Sequence, residues 1–247
     1  LHYFIKAICY FKTHSHFNMK EEIKESLAAD VEAGISRRSF LGFAGVAGAA
    51  VLLSACDKED DAVEPVDEGT VDLGSGDTGL LNFAYALEQL EAAFYVRVCS
   101  SFYADASERE KALLQDVRRH EIAHRELFRT ALAGNAIPDL EFDFGSINFN
   151  DRTSVLSAAK EMEDTGVAAY NGAGKLMATP ENLKLAAKIV SVEARHAAYF
   201  RELISVNSFS DTADANGVDA SISPVDVLTL VSKYFKTKVS GKNLPKA

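Results

Sequence analysis

One four-residue pattern occurs twice in this chain: Glu121-Ile122-Ala123-His124 and Glu193-Ala194-Arg195-His196. Three residues make a little under one helical turn, so the carboxylate and imidazole of each pair leave an α-helix on the same side. Each pair also has the same forerunner. Glu88 is followed seven residues later by Tyr95, and Glu163 seven residues later by Tyr170. These two glutamates stand 33 and 30 residues ahead of Glu121 and Glu193. The chain thus holds one unit twice, most simply as two helices per unit. Two Glu-x-x-His pairs, with one Glu from each of two further helices, form a six-ligand dinuclear metal site inside a four-helix bundle.

The rest of the chain supplies four helices at workable places. A first helix over 78–103 carries Leu81, Ala84, Glu88, Glu91 and Tyr95 on one face. A second over 108–134 opens with Ser107 and Glu110 in capping-box spacing and stops at Gly134. Its face carries Leu114, Val117, Glu121, His124 and Phe128. A third over 152–177 is capped by Asp151. A fourth over 180–206 starts at Thr179-Pro180 and shows Ile189, Glu193, His196, Phe200 and Leu203 on one side. The first and last pairs are joined by short loops and are therefore antiparallel. Counted from those turns, all four glutamates fall at mid-height. Residues 135–150 contain Pro138, Gly145 and the alternating Leu140-Glu141-Phe142-Asp143-Phe144. Extended, they reach up to roughly 53 Å, enough to cross a bundle about 40 Å long. The expected fold is all-α: a four-helix bundle over 78–206 with a long crossover between helices two and three. The tail, 207–247, begins polar and then forms a short helix from Ser223-Pro224 to about Phe235, packed on the bundle.

Leu81-Asn82-Phe83-Ala84-Tyr85-Ala86-Leu87-Glu88-Gln89-Leu90-Glu91-Ala92-Ala93-Phe94-Tyr95 and Glu163-Asp164-Thr165-Gly166-Val167-Ala168-Ala169-Tyr170-Asn171-Gly172-Ala173 resemble the ferritin-like superfamily, and within it the family that includes desiccation-related proteins. The likeness covers roughly 78–206. It implies that Glu88, Glu121, His124, Glu163, Glu193 and His196 hold two metal ions, iron ahead of manganese, with Glu121 and Glu193 as bridging carboxylates. It implies a di-iron or di-manganese oxidoreductase of ferroxidase, peroxidase or catalase type, with no catalytic residue assigned beyond the ligands. Tyr95, Tyr170 and Glu91, an extra carboxylate one turn from Glu88, are expected to support the ligands. Carboxylates with one imidazole per metal suit either of these hard metals better than thiolate-preferring ones.

Ahead of the bundle the chain reads as an export signal. Ser36-Arg37-Arg38-Ser39-Phe40-Leu41 matches a twin-arginine signature, followed by an apolar run to Ala55. That run is about 24 Å as a helix, short of a ~30 Å hydrocarbon core. It closes Leu53-Ser54-Ala55-Cys56, which resembles a bacterial lipoprotein cleavage site with Cys56 as the lipidated residue. The organisation expected is therefore an upstream extension over 1–18 before Met19, a signal peptide over 19–56, and an acidic flexible tether over 57–77. The protein is then an exported lipoprotein of a bacterial cell envelope, held to a membrane by its lipid. A homo-oligomer is compatible with this, though a tether disfavours a closed shell. A net charge of −10 argues against a nucleic-acid partner. Three cysteines, Cys9, Cys56 and Cys99, suggest no disulfide framework.

Two other readings compete. A structural envelope bundle without an active metal site would make the paired motifs coincidental. Alternatively, His120-Glu121-Ile122-Ala123-His124 matches the H-E-x-x-H helix of zinc metalloproteases, with His120 and His124 on zinc and Glu121 as general base. The extended form of that motif asks for Gly and His where this chain has Leu127 and Thr130, and it leaves Glu88, Glu163, Glu193 and His196 without a role.

Overall fold

A computed structural model describes residues 66–246. The twin-arginine stretch, Cys56 and most of the expected tether lie outside these residues. Within them, four long helices form two hairpins: α1 (Gly76–Ser100) with α2 (Glu108–Leu132), and α3 (Arg152–Gly174) with α4 (Pro180–Ile204). A short helix, α5 (Pro224–Val231), follows in the tail, and β1 (Val71–Asp72) pairs in parallel with β2 (Val239–Ser240). The all-α bundle with its long crossover is the fold expected. No helix among the described residues is long and apolar enough to cross a membrane.

Side-chain caps fix the starts of α2 and α3. Ser107 accepts from the Glu110 N–H, and the Glu110 carboxylate accepts from the Ser107 N–H and hydroxyl. Asp151 caps α3 by accepting from Ser154 N–H, and Pro180 opens α4. Their C-terminal ends come two or three residues earlier than the sequence suggested. At the end of α2, Ala133 rather than Gly134 takes the positive φ, of 48°, and a turn of 3-10 helix over Ala133–Asn135 leads into the crossover.

Burial divides the helices into two kinds. On α2 only Glu110, Leu114, Val117, Glu121, His124, Phe128 and Leu132 are buried, one stripe at three- and four-residue intervals. α4 is similar, but α1 is buried without a break from Gly79 to Ala92, and α3 over most of its length. The single stripe expected for α1 is therefore too narrow, because other chain covers its outer side. The crossover runs along α1, held by two buried amides two turns apart. Asn82 donates to the carbonyls of Leu73 and Asn135 and accepts from Ile137 N–H. Gln89 donates to Pro138 and accepts from Leu140 N–H. The tail crosses α3, where Ile222 N–H donates to Ala168 O and a Cβ on Gly172 would run into the Ile222 carbonyl. Phe142 of the crossover forms an antiparallel bridge with Phe235, and Phe94, Phe144, Phe149 and Tyr234 complete an aromatic cluster there.

The tether expected over 57–77 is corrected at its far end. Leu73 is fully buried and Val71–Asp72 is a strand, so these residues belong to the folded unit. The α1 start moves forward to Gly76 for the same reason.

Glu110 ties the start of α2 to the start of α3 through Arg152, whose Nε lies 2.7 Å from Oε1. Burial pushes this carboxyl up, but the Ser107 N–H and hydroxyl and the Arg152 guanidinium outweigh it and hold it at about 2, below its ordinary 4.5. Its contribution is therefore present above 4.5 and lost as the pH falls toward 2. Glu110→Gln should lower unfolding free energy by about 1–2 kcal/mol at pH 7. In denaturant titrations the gap to wild type should close near pH 2–3.

Candidate metal centre

The four long helices aim their central side chains at one place. Glu88 comes from α1, Glu121 and His124 from α2, Glu163 from α3, and Glu193 and His196 from α4. All four glutamates are fully buried, and the histidines are 9% and 6% exposed. They form two ligand groups, Glu88–Glu121–His124–Glu193 and Glu121–Glu163–Glu193–His196, each with its donor atoms within 4.8 Å of one another. Glu121 and Glu193 belong to both.

The short distances between these atoms are those of ligands around a cation. His124 Nδ1 lies 3.0 Å from Glu193 Oε1, 3.3 Å from Glu121 Oε2 and 3.4 Å from Glu88 Oε2. His196 Nδ1 lies 2.9 Å from Glu121 Oε1 and 3.2 Å from Glu163 Oε2. One ring nitrogen has a single hydrogen or lone pair and cannot serve several carboxylates at once. Glu88 Oε2, Glu121 Oε1 and both Glu193 oxygens are buried yet make no well-directed hydrogen bond. Donor atoms about 2.1 Å from an octahedral cation and 90° apart stand about 3.0 Å from each other. A cation seated in each group would satisfy the orphaned oxygens, and the spacing fits one. Two divalent cations also balance four carboxylates.

Without such cations the charge is balanced by protons. Burial lowers the histidines, but the facing carboxylates outweigh it and raise His124 to about 12 and His196 to about 11. Burial raises Glu88 to about 7, whereas at Glu121 the two imidazoles overcome burial and hold it at about 2. Burial and neighbouring carboxylates push Glu193 well above the usual range, and burial raises Glu163.

The doubled unit closes on itself. Tyr95 on α1 donates to Glu163 Oε1 on α3, and Tyr170 on α3 donates to Glu88 Oε1 on α1. Tyr95 stacks on Phe200 and Tyr170 on Phe128, at 5.9 and 6.4 Å between ring centroids. Each tyrosine thus orients the glutamate of the other unit while an aromatic ring of that unit walls it in.

Glu91 adds a fifth carboxyl beside the cluster, 3% exposed. Burial first, then Glu193, Glu163, Glu88 and Glu121, push it well above the carboxylate range. Its space comes from Gly166, where a Cβ would stand 3.1 Å from Glu91 Oε1. Gly166 is the counterpart of Glu91 in the second unit, each lying three residues after its Glu. A glycine inside a helix costs about 1 kcal/mol relative to Ala, so its place one turn after Glu163 was a readable signal of close approach.

His120 stands outside both ligand groups. It is exposed, and its Nδ1 lies 2.9 Å from His196 Nε2. Burial, then His196, pulls it below the ordinary imidazole range. The pairing of His120 with His124 on one zinc, required by the protease reading, is not what the fold assembles.

The family model of the ferritin-like domain matches residues 76–206. The match spans all four helices of the bundle and more than half of the chain, which belongs to this family. None of the curated proteins matches the chain in sequence.

Metal must displace the protons that now neutralise the cluster. Loading with manganous ion at pH 7 should release about three to four protons per chain, two from the imidazoles and the rest from Glu193 and Glu88, as read in a weakly buffered indicator titration. Binding without proton release would contradict this charge balance.

Proposed function

We propose that this protein is a dinuclear metalloprotein in which Glu88, Glu121, His124, Glu163, Glu193 and His196 hold two iron or manganese ions, and that it acts on ferrous iron, dioxygen or peroxide in stress protection. The observation that carries the reading is the pair of buried ligand groups joined through Glu121 and Glu193, which suits those two carboxylates to bridging. Oxygen donors with one imidazole per ion favour iron or manganese. Two such ions sharing carboxylates supply a two-electron couple suited to dioxygen or peroxide. The chain's own residues hold the ligands and keep them dry. Tyr95 and Tyr170 fix the outer oxygens of Glu163 and Glu88, and Phe128 and Phe200 are fully buried against those tyrosines.

Reconstituted with ferrous iron, the purified protein should retain about two ions per chain by elemental analysis and oxidise further ferrous iron in air. Glu121→Ala with His124→Ala should abolish both. A wild-type protein that holds close to no metal, or a double variant that retains it, would sink the reading and leave a structural bundle.

The placement proposed is the bacterial cell envelope, with Cys56 lipidated after export through the Ser36-Arg37-Arg38-Ser39-Phe40-Leu41 signal. The sequence of residues 19–56 supports it. Expressed in a bacterium with twin-arginine export, the protein should take up labelled palmitate and sediment with membranes, and Cys56→Ala should remain soluble and unlabelled. Label on the alanine variant would overturn the anchor.

A further inference from the structure

The doubled unit is broken one residue before each Glu-x-x-His. The first unit has His120 there, and the second has Val192. Both residues leave their helix beside the cluster, but only the histidine can exchange a hydrogen bond with it. His120 uses that capacity on the opposite hairpin. Its Nδ1 lies 2.9 Å from Nε2 of His196, on α4. The two rings are within 12° of parallel with centroids 5.2 Å apart. With nitrogen atoms this close and centroids so far apart, the rings meet edge to edge, and the hydrogen lies between them in their common plane.

The direction of that hydrogen bond follows from the inner side of His196. Its Nδ1 faces Glu121 Oε1 and Glu163 Oε2, at 2.9 and 3.2 Å. To bind a cation there, Nδ1 must offer its lone pair, so the ring hydrogen sits on Nε2. Nε2 then donates outward, and His120 Nδ1 accepts. The remaining hydrogen of His120 is on its own Nε2, and that exposed ring can give it to water. A histidine that binds metal generally donates its other N–H to a fixed partner, which sets its tautomer and ring rotation. Here the partner is an imidazole borrowed from the neighbouring Glu-x-x-His helix.

We infer that His120 is a positioning residue for the metal centre: by accepting the Nε2 hydrogen of His196, it holds that imidazole with Nδ1 presented to the ion on the Glu163 side, and the two ions are therefore held unequally. This rests on the dinuclear reading above. It also gives a role to the first histidine of the H-E-x-x-H stretch, which the six ligands leave unused.

The test uses the full-length protein as wild type, His120→Ala and His120→Asn, each titrated with manganous ion by calorimetry and followed by electron paramagnetic resonance. His120→Ala should weaken one of the two binding events by about 10–100-fold. The coupled two-ion signal of the wild type should give way to that of a lone ion at the same metal concentration. The other binding event should stay within about threefold, since the ligands of the Glu88 and His124 group are untouched. His120→Asn should restore most of the loss, because its Oδ1 takes the place of Nδ1 as acceptor. Thermal unfolding of the metal-free variants should match wild type, as His120 is exposed. Equal binding by His120→Ala and wild type overturns the inference alone. So does equal weakening of both ions, or an asparagine variant no better than alanine. A wild-type chain that binds no manganous ion overturns the dinuclear reading and this inference together.

Discussion

Charge buried in an apolar bundle is the constraint around which this molecule is arranged. Four glutamates at 0% exposure meet at mid-height of the helices. An ionised carboxylate in such surroundings is tolerated only with positive charge beside it. Protons on the two imidazoles and on some of the carboxyls supply that charge in the metal-free chain, and metal ions held by the cluster would supply it in their place. α2 and α4 each deliver a carboxylate and an imidazole from adjacent turns, and α1 and α3 each deliver one carboxylate.

The centre is nearly two-fold symmetric in its chemistry, and the symmetry is reciprocal rather than parallel. The tyrosine of each unit reaches the glutamate of the other. The stacked pairs Tyr95–Phe200 and Tyr170–Phe128 follow the same exchange. Neither hairpin therefore completes its half of the site alone. Departures from the symmetry cluster at the same place. Glu91 faces the gap left by its counterpart Gly166, and His120 supports His196 where Val192 supports nothing polar. The two candidate ligand groups, alike in composition, thus stand in unlike surroundings.

Much of this was legible in the chain. Period-3.6 stripes, the Ser107–Glu110 box and the Asp151 cap mark the helices, and helix direction with equal distances from the turns puts the ligands at one level. What the stripes concealed was the second layer. Asn82 and Gln89 look like ordinary polar positions on α1, yet both are buried and anchor the crossover. Gly172 looks like a weak point in α3, yet it admits the tail backbone. These contacts join segments more than 45 residues apart, beyond the reach of any local periodicity.

By itself the sequence determined the residue types, their helical phase and their register, because these depend on spacing along one chain and on the local rules of helix caps. It therefore named the six side chains of the cluster and the family resemblance. Only the tertiary structure decided which of them face each other. That Glu121 and Glu193 serve both groups, that each tyrosine crosses to the other unit, and that His120 turns away from His124 toward His196 are all relations between helices. They are set by how the two hairpins pack, and pairs 68, 76 and 82 residues apart leave no trace of that packing in their spacing.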